Sequence, residues 1–303
     1  MLYTSPLVTI GIAIYNGAEH LIETLESINQ QTYNNIEIII VDDGSKDNSY
    51  ELCSNWAPAS RFPISILKNT TNLGLPATRN VLLNKATGKY LSLFDQDDIM
   101  LAGKVESDVL LFEQQSEKVA LVYSKLKLIN EKGELLDQEY FERIGFKGVK
   151  EHDVFLELTK SNFIPAPTVM VRADCIRKIG GYDETLEFDD WDMWLRLSNK
   201  YDFVFSDIAN AQYRIHNKSM MANKNKKQTI RRNQANIKMF QKHLGHDKKH
   251  NEALYKKLKE LTIYSYFLGD EAAKNILYNY LKRRFDAKIW LYHKLALLGI
   301  KHF

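Results

Sequence analysis

The sequence predicts an α/β fold, a mostly parallel sheet flanked by helices, followed by an α-helical extension. Three observations predict it. Apolar β-rich runs alternate with helix-spaced runs through the first hundred or so residues. Two of the β-rich runs end in carboxylates, Asp42 and Asp43 after IEIIIV and Asp95, Asp97 and Asp98 after KYLSLF. From Lys224 onward the periodicity is helical almost throughout. A βαβα order argues for parallel strands joined by right-handed crossovers with helices on both faces.

Taken in order, residues 7–14 form the first strand, and residues 18–30 follow with Leu21, Leu25 and Ile28 at helical spacing. Residues 36–41 are a near-continuous Ile/Val strand, and DDGSKDNSYELC after it has the Asp and Ser content of a capped helix start. Residues 64–67 are a further strand, residues 77–86 a helix with Val81, Leu82 and Leu83, and residues 90–94 the strand that leads into the second acidic cluster. After residues 119–123 the pattern loosens through NEKGELLDQEYFERIGFKGVK, read as a long surface segment. IRRNQANIKMFQKHL and NEALYKKLKELTIYSYFL read as separate amphipathic helices. The expected division is a domain over residues 1–220 and a basic helical extension over residues 221–303.

Composition narrows the class. With 303 residues, 45% apolar, 26% charged and 6 Pro, the chain reads as a globular protein able to bury a sizeable core. Cys53 and Cys175 are isolated thiols without metal-ligand spacing or a disulfide framework, which suits a reducing compartment. The N-terminus lacks the features of a signal peptide and no apolar run approaches the ~20 residues of a membrane span, so a cytoplasmic location is expected. The net charge of +3 hides a division: residues 1–216 hold 21 basic and 32 acidic side chains, residues 217–303 hold 20 and 6. The basic part points to an anionic partner such as a membrane surface or nucleic acid.

Carboxylates at strand ends sit where open α/β sheets bind ligands, so the two clusters are expected to share one site. Asp, Gly and Ser after a strand also serve as turn formers and helix caps, which accounts for part of the first cluster. Three carboxylates within residues 95–98 repel one another unless a cation neutralises them. An EF-hand beginning at Asp95 is excluded, because Ile99 and Met100 stand where an oxygen ligand and a Gly are required.

At this point the chain resembles the inverting family 2 glycosyltransferases with the GT-A (Rossmann-like) fold. The resemblance runs through VTIGIAIYN, ESINQQTYNNIEIIIVDDGSKD, NLGLPATRN and GKYLSLFDQDD, then IGGYDETLEFDDWDMWLRL and YRIHNKSM, in order over residues 6–220. It implies transfer of a sugar from a nucleotide sugar, with UDP the expected nucleotide, to a hydroxyl of a glycan or lipid-linked acceptor, of bacterial surface-polysaccharide type. It implies nucleotide-sugar contacts from Ala13, Tyr15, Asp43, Arg79, Asp95 and Asp97, with Ala13 contributing backbone only. Asp95, Asp97 and Asp98 match the family's DXD region; Asp97, Asp98 and His216 are the implied metal residues, and Mg²⁺ or Mn²⁺ suits carboxylates with phosphate and water. Asp190 matches the catalytic base, with Trp191 and Asp189 on the acceptor side. Asp189 stands where relatives more often carry Glu. Asp192 would project away from Asp190, since helical neighbours two apart do not share a face, and of Trp191 and Trp194 at least one is expected in the core.

Two alternatives belong to other classes. IIIVDD followed by FDQDDIML loosely resembles a phospho-accepting signalling domain, although residues 7–30 precede its expected first strand and Leu101 replaces its expected Pro. A non-catalytic sugar-nucleotide-binding relative would keep the motifs without turnover. A sugar nucleotidyltransferase is disfavoured by the lack of a Gly-rich N-terminal phosphate loop.

The tail LKRRFDAKIWLYHKLALLGIKHF (281–303) reads as a basic amphipathic helix with Trp290 as an aromatic anchor, too short and too charged to span a bilayer. It is expected to hold the protein peripherally on the inner face of the cytoplasmic membrane or, alternatively, to pack on the catalytic domain or on a second subunit as a homo-oligomer. No nucleic-acid partner is expected.

Overall fold

The computed structural model describes residues 5–145, 154–186, 189–217 and 225–300. Residues 146–150 of the expected surface segment, 187–188 and 218–220 of the matched motifs, and 301–303 of the tail, Lys301 among them, lie outside the described residues. The chain divides into two compact units, residues 1–154 with 162–216, and residues 155–161 with 217–303.

In the first unit, β1 (Val8–Ile14), α1 (Leu21–Asn29), β2 (Ile36–Asp42), α2 (Ser49–Trp56), β3 (Ile64–Lys68), α3 (Leu75–Lys85) and β4 (Tyr90–Phe94) reproduce the alternation in the sequence. β5 (Ile99–Met100), α4 (Lys104–Glu113), β6 (Val119–Ile129), α5 (Tyr140–Arg143), α6 (Val154–Lys160), β7 (Met170–Arg172), α7 (Ala173–Lys178), α8 (Asp190–Ser198) and β8 (Asp202–Arg214) follow, α6 lying mostly in the second unit. One eight-stranded sheet has the order β3-β2-β1-β4-β7-β6-β8-β5. β3, β2, β1 and β4 run parallel, β6 and β8 run parallel, and β7 and β5 are antiparallel to their neighbours. The sheet is therefore mostly parallel, as the alternation predicts.

Register positions the site. Ile14 pairs with Asp42, Asp42 with Lys68, and Ile12 with Phe94, so β1, β2, β3 and β4 reach the same edge together. Both acidic clusters leave the sheet there. The edge is held by burial beneath it: Val8, Ile10, Ile12, Ile38, Ile40, Tyr90 and Phe94 pack with Leu21, Leu25 and Ile28 of α1 and with Val105, Val109 and Phe112 of α4. The loop after β2 turns at Gly44 with φ +73°, where an added Cβ would lie 2.9 Å from the Thr71 backbone.

β6 is longer than the sequence indicates, and β8 has no strand signal in it. β6 continues to Ile129, because register shifts on either side of Lys125 in its pairing with β8 break the alternation that a reader follows. β8 spans 13 residues although it carries Ser206, Asp207, Asn210 and Gln212, since much of it is only partly buried.

The second unit is helical: α9 (Lys226–Lys242), α10 (Lys248–Phe267), α11 (Ala273–Arg283) and α12 (Ala287–Leu297) join residues 155–161. Asn225, Asp247 and Asp286 cap α9, α10 and α12 by accepting backbone N–H bonds in the first turn. Ile237, Phe240, Leu254, Leu258, Leu277, Tyr280 and Ile289 are buried. No described helix is long and apolar enough to cross a membrane.

Candidate active site

The first acidic cluster is woven into its surroundings. Asp43 is buried; its Oδ1 accepts from Asn69 Nδ2 at 2.9 Å and Leu73 N at 2.8 Å, and its Oδ2 from Gly74 N at 2.9 Å. It thereby fixes the loop that enters α3. Asp42 accepts from Ser45 N through Oδ2, while its buried Oδ1 has no partner. The loop after β1 is laced to this one: Asn16 N donates to Ser45 Oγ at 3.0 Å, and Lys46 N to Asn16 Oδ1 at 2.8 Å. Ala13 lies near the end of β1, and Tyr15, just beyond it, is exposed.

The second cluster is crowded. Arg79 of α3 is buried and bridges Asp95 Oδ1 at 3.2 Å and Asp189 Oδ1 at 2.8 Å, with its guanidinium over the Tyr182 ring. Burial pushes the Asp95 carboxyl up to about 6; Arg79 opposes the shift, and Asp97, Asp190 and Asp189 add to it. Asp97 Oδ2 meets His216 Nε2 at 2.8 Å. Asp98 is fully buried: Oδ1 accepts from Arg214 N at 2.9 Å and Oδ2 has no partner. Burial, then the charges of Asp97 and Asp95, pushes its carboxyl well above the usual carboxylate range.

The start of α8 carries Asp190 and Trp191, with Asp189 just before it. Asp190 is its first residue; Oδ2 accepts from Asn162 Nδ2 at 3.1 Å and Oδ1 from Trp191 N at 2.6 Å. Asp189 is buried, and its Oδ2 lacks a partner. Burial raises its carboxyl, opposed by Arg79 and assisted by Asp190. Asp192 is buried on Arg196 Nε at 2.7 Å, Trp194 is in the core and Trp191 is partly exposed.

Three residues that carry this geometry have no clear mark in the sequence. Gln96 clamps Tyr15 by accepting from its N at 2.9 Å and donating to its O at 3.2 Å. Asn162 orients Asp190 from 28 positions away. Arg214, fully buried, donates Nε to Asp97 O at 2.9 Å, Nη1 to Glu131 O at 3.2 Å, and Nη2 to Glu23 Oε2. It ties the acidic loop to the turn after β6 and to α1. Its place in YRIHNKSM, two residues before His216, is the one available signal.

Whether a divalent cation fits can be judged from the atoms present. Among the described residues no three His, Cys, Asp or Glu side chains converge as a ready-made cage. Asp97 and His216 do meet, the charge of Asp97 acts on Asp95, and Asp98 Oδ2 is a buried carboxylate oxygen without a partner. Mg²⁺ is ordinarily held by one or two carboxylates plus substrate phosphates and water rather than by an all-protein cage. The set fits a cation that arrives with a diphosphate.

Residues 9–177 match the model of Glycosyl transferase family 2. An uncharacterized glycosyltransferase of Methanocaldococcus jannaschii is 30% identical over 227 residues, covering 74% of this chain and 76% of that protein. S. aureus TarS 1–349, solved with UDP-GlcNAc, superposes with a TM-score of 0.68 at 16% identity over 91% of this chain and 81% of that one. The Pyrobaculum calidifontis mannosyltransferase PcManGT, solved with GDP-Man and Mn²⁺, gives 0.64 at 16% identity over 98% and 81%. These two structures share the fold.

Proposed function

The chain belongs to glycosyl transferase family 2, and from that premise we propose that it is an inverting, metal-dependent hexosyl- or N-acetylhexosaminyltransferase. In this reading residues 1–220 form the catalytic domain and residues 221–303 an extension to it. The donor is a nucleotide sugar, UDP-linked by preference, and the acceptor is a hydroxyl of a glycan or lipid-linked molecule. A lipid-linked acceptor would bring the protein peripherally to a membrane surface. The observation that carries the reading is the Arg79 bridge, which joins Asp95 of the donor-side cluster to Asp189, the neighbour of Asp190. Donor and base candidates thus share one charge network.

Asp190 is the general base. It accepts the proton of the acceptor hydroxyl as that oxygen bonds to the anomeric carbon, while the bond from that carbon to the diphosphate oxygen breaks and the nucleoside diphosphate leaves. One displacement from the face opposite the leaving group inverts the configuration. Asn162 and the Trp191 amide hold the carboxylate in one orientation, which lowers the cost of reaching the reactive geometry. Asp97 and His216, with Asp98 and Asp95 at hand, would hold Mg²⁺ or Mn²⁺. When bound, such an ion neutralises charge on the departing diphosphate. Asp43 keeps the loop after β3 in place, and Ala13 and Tyr15 border the nucleotide side.

The test is a panel of UDP-, GDP- and dTDP-sugars with Mn²⁺, read by thermal shift and by release of nucleoside diphosphate. A cognate donor at 100 times its Kd stabilises by about 2.7 kcal/mol. Product NMR should show an anomeric configuration opposite to the donor's. Stabilisation without turnover over a broad acceptor panel would favour a non-catalytic binding protein, and retention of configuration would overturn the assignment of Asp190.

A further inference from the structure

The helix α12 is apolar on two faces, and its own unit covers one of them. Ile289 and Ala296 are buried; Tyr292 lies 5.1 Å from the Tyr266 ring and 5.4 Å from that of Phe267, and His293 stacks on Tyr278 at 5.7 Å. The outer stripe is a different set. By helical spacing Trp290, Leu291, Lys294, Leu297 and Leu298 share it, and all are exposed, Leu298 at 73%. Phe285, in the turn before the helix, is 74% exposed. Large apolar side chains clustered on an outer face mark an interaction surface.

Charge selects the occupant. Lys288 and Lys294 on α12 and Lys282 and Arg283 at the end of α11 are exposed, with Lys294 Nζ 5.6 Å from the Trp290 ring and Lys282 Nζ 4.5 Å from that of Tyr278. A second copy would bring the same excess of 20 basic over 6 acidic residues in 217–303 against itself. A nucleic acid would attract the lysines but would leave the leucines without an apolar partner. An anionic bilayer satisfies both. We propose that this outer face of α12 docks on an anionic lipid surface, with Trp290, Leu291, Leu297 and Leu298 entering the headgroup region and the four cations facing lipid phosphates. The docking depends on neither donor nor acceptor, so it stands or falls apart from the transfer reaction.

Cosedimentation of the full chain with phosphatidylcholine vesicles, with and without phosphatidylglycerol, tests it in the absence of nucleotide sugar. Binding should require the anionic lipid and weaken as salt rises. Lys288→Glu with Lys294→Glu should lower the partition coefficient at least about tenfold, since each cation near the leaflet contributes severalfold. Leu291→Ser with Leu298→Ser should also lower it, with an unchanged melting temperature because both positions are exposed. Trp290 fluorescence should shift to the blue on binding. No vesicle binding at low salt, or equal binding by both double variants, would overturn the proposal. So would a leucine variant that turns a dimer into a monomer by light scattering while vesicle binding persists, or tight binding to duplex RNA that is indifferent to the leucine changes.

Discussion

At the end of β2, Asp43 gives its carboxylate to three N–H donors of residues 69–74, whereas at the end of β4 three carboxylates crowd one another with few donors between them. Both clusters are acidic runs after an apolar strand. A carboxylate surrounded by N–H groups is satisfied by the fold and holds a loop. Burial, with acidic neighbours adding to it, raises the carboxyls of Asp95 and Asp98, and neither has three N–H donors of the kind that hold Asp43. Asp43 thus holds a loop whatever else it contacts, whereas the cluster after β4 is the one proposed to meet the metal and donor, and substitutions should separate the two roles.

The largest effect lies on the chemical side. Asp190→Asn keeps the shape and the Asn162 contact but cannot accept a proton, so turnover should fall by roughly 10² to 10⁴. Donor affinity measured by calorimetry should stay within about twofold of the parent. Full activity in this variant would place the base elsewhere in the cluster, with Asp189 the first candidate.

On the architectural side, Asp43→Ala strands three donors that it now satisfies and should cost about 2–4 kcal/mol of stability. Chemical denaturation would read this directly. If the variant melts like the parent and loses only nucleotide binding, the contrast between the clusters collapses and Asp43 is chiefly a ligand contact.

Asp97→Ala should behave in the opposite way. Its melting temperature without metal should be close to that of the parent, because the change relieves crowding. UDP affinity in Mn²⁺ should drop by at least about tenfold and stop responding to EDTA. Equal UDP affinity for the parent with and without EDTA would remove the cation from the reading altogether.

The smallest effect is one of pH. Burial raises the Asp95 carboxyl to about 6 in the fold, above its ordinary value of 3.8, so between these values the folded state holds more protons than the unfolded chain. Stability from this group should fall as pH rises through that window. The raised Asp98 and Asp189 carboxyls act in the same direction. The comparison to make is the metal-free parent against Asp95→Asn, which lacks the titrating group, followed by unfolding from pH 4 to 7. A parent that gains stability relative to Asp95→Asn across this range would show that the crowding is relieved in solution.

The sequence by itself determined the alternation of strand and helix, the shared edge from which both acidic runs emerge, and the positions of Asp95, Asp97 and Asp98. Each of these is a local pattern: an apolar period, or a short motif at the end of a strand. Tertiary structure alone decided the rest. Arg79 could as well have been a surface ion pair; burial between Asp95 and Asp189, 110 residues further along, makes it the bridge of the site. Asn162, Gln96 and Arg214 act through partners 28, 81 and 117 residues away, and no period or motif encodes a pairing across such distances. β8 was hidden because its partly exposed faces alternate weakly. The two faces of α12 could not be told apart in the sequence, because both are apolar; only packing against Tyr266, Phe267 and Tyr278 assigns Ile289 to the interior and leaves Trp290 and Leu298 outside.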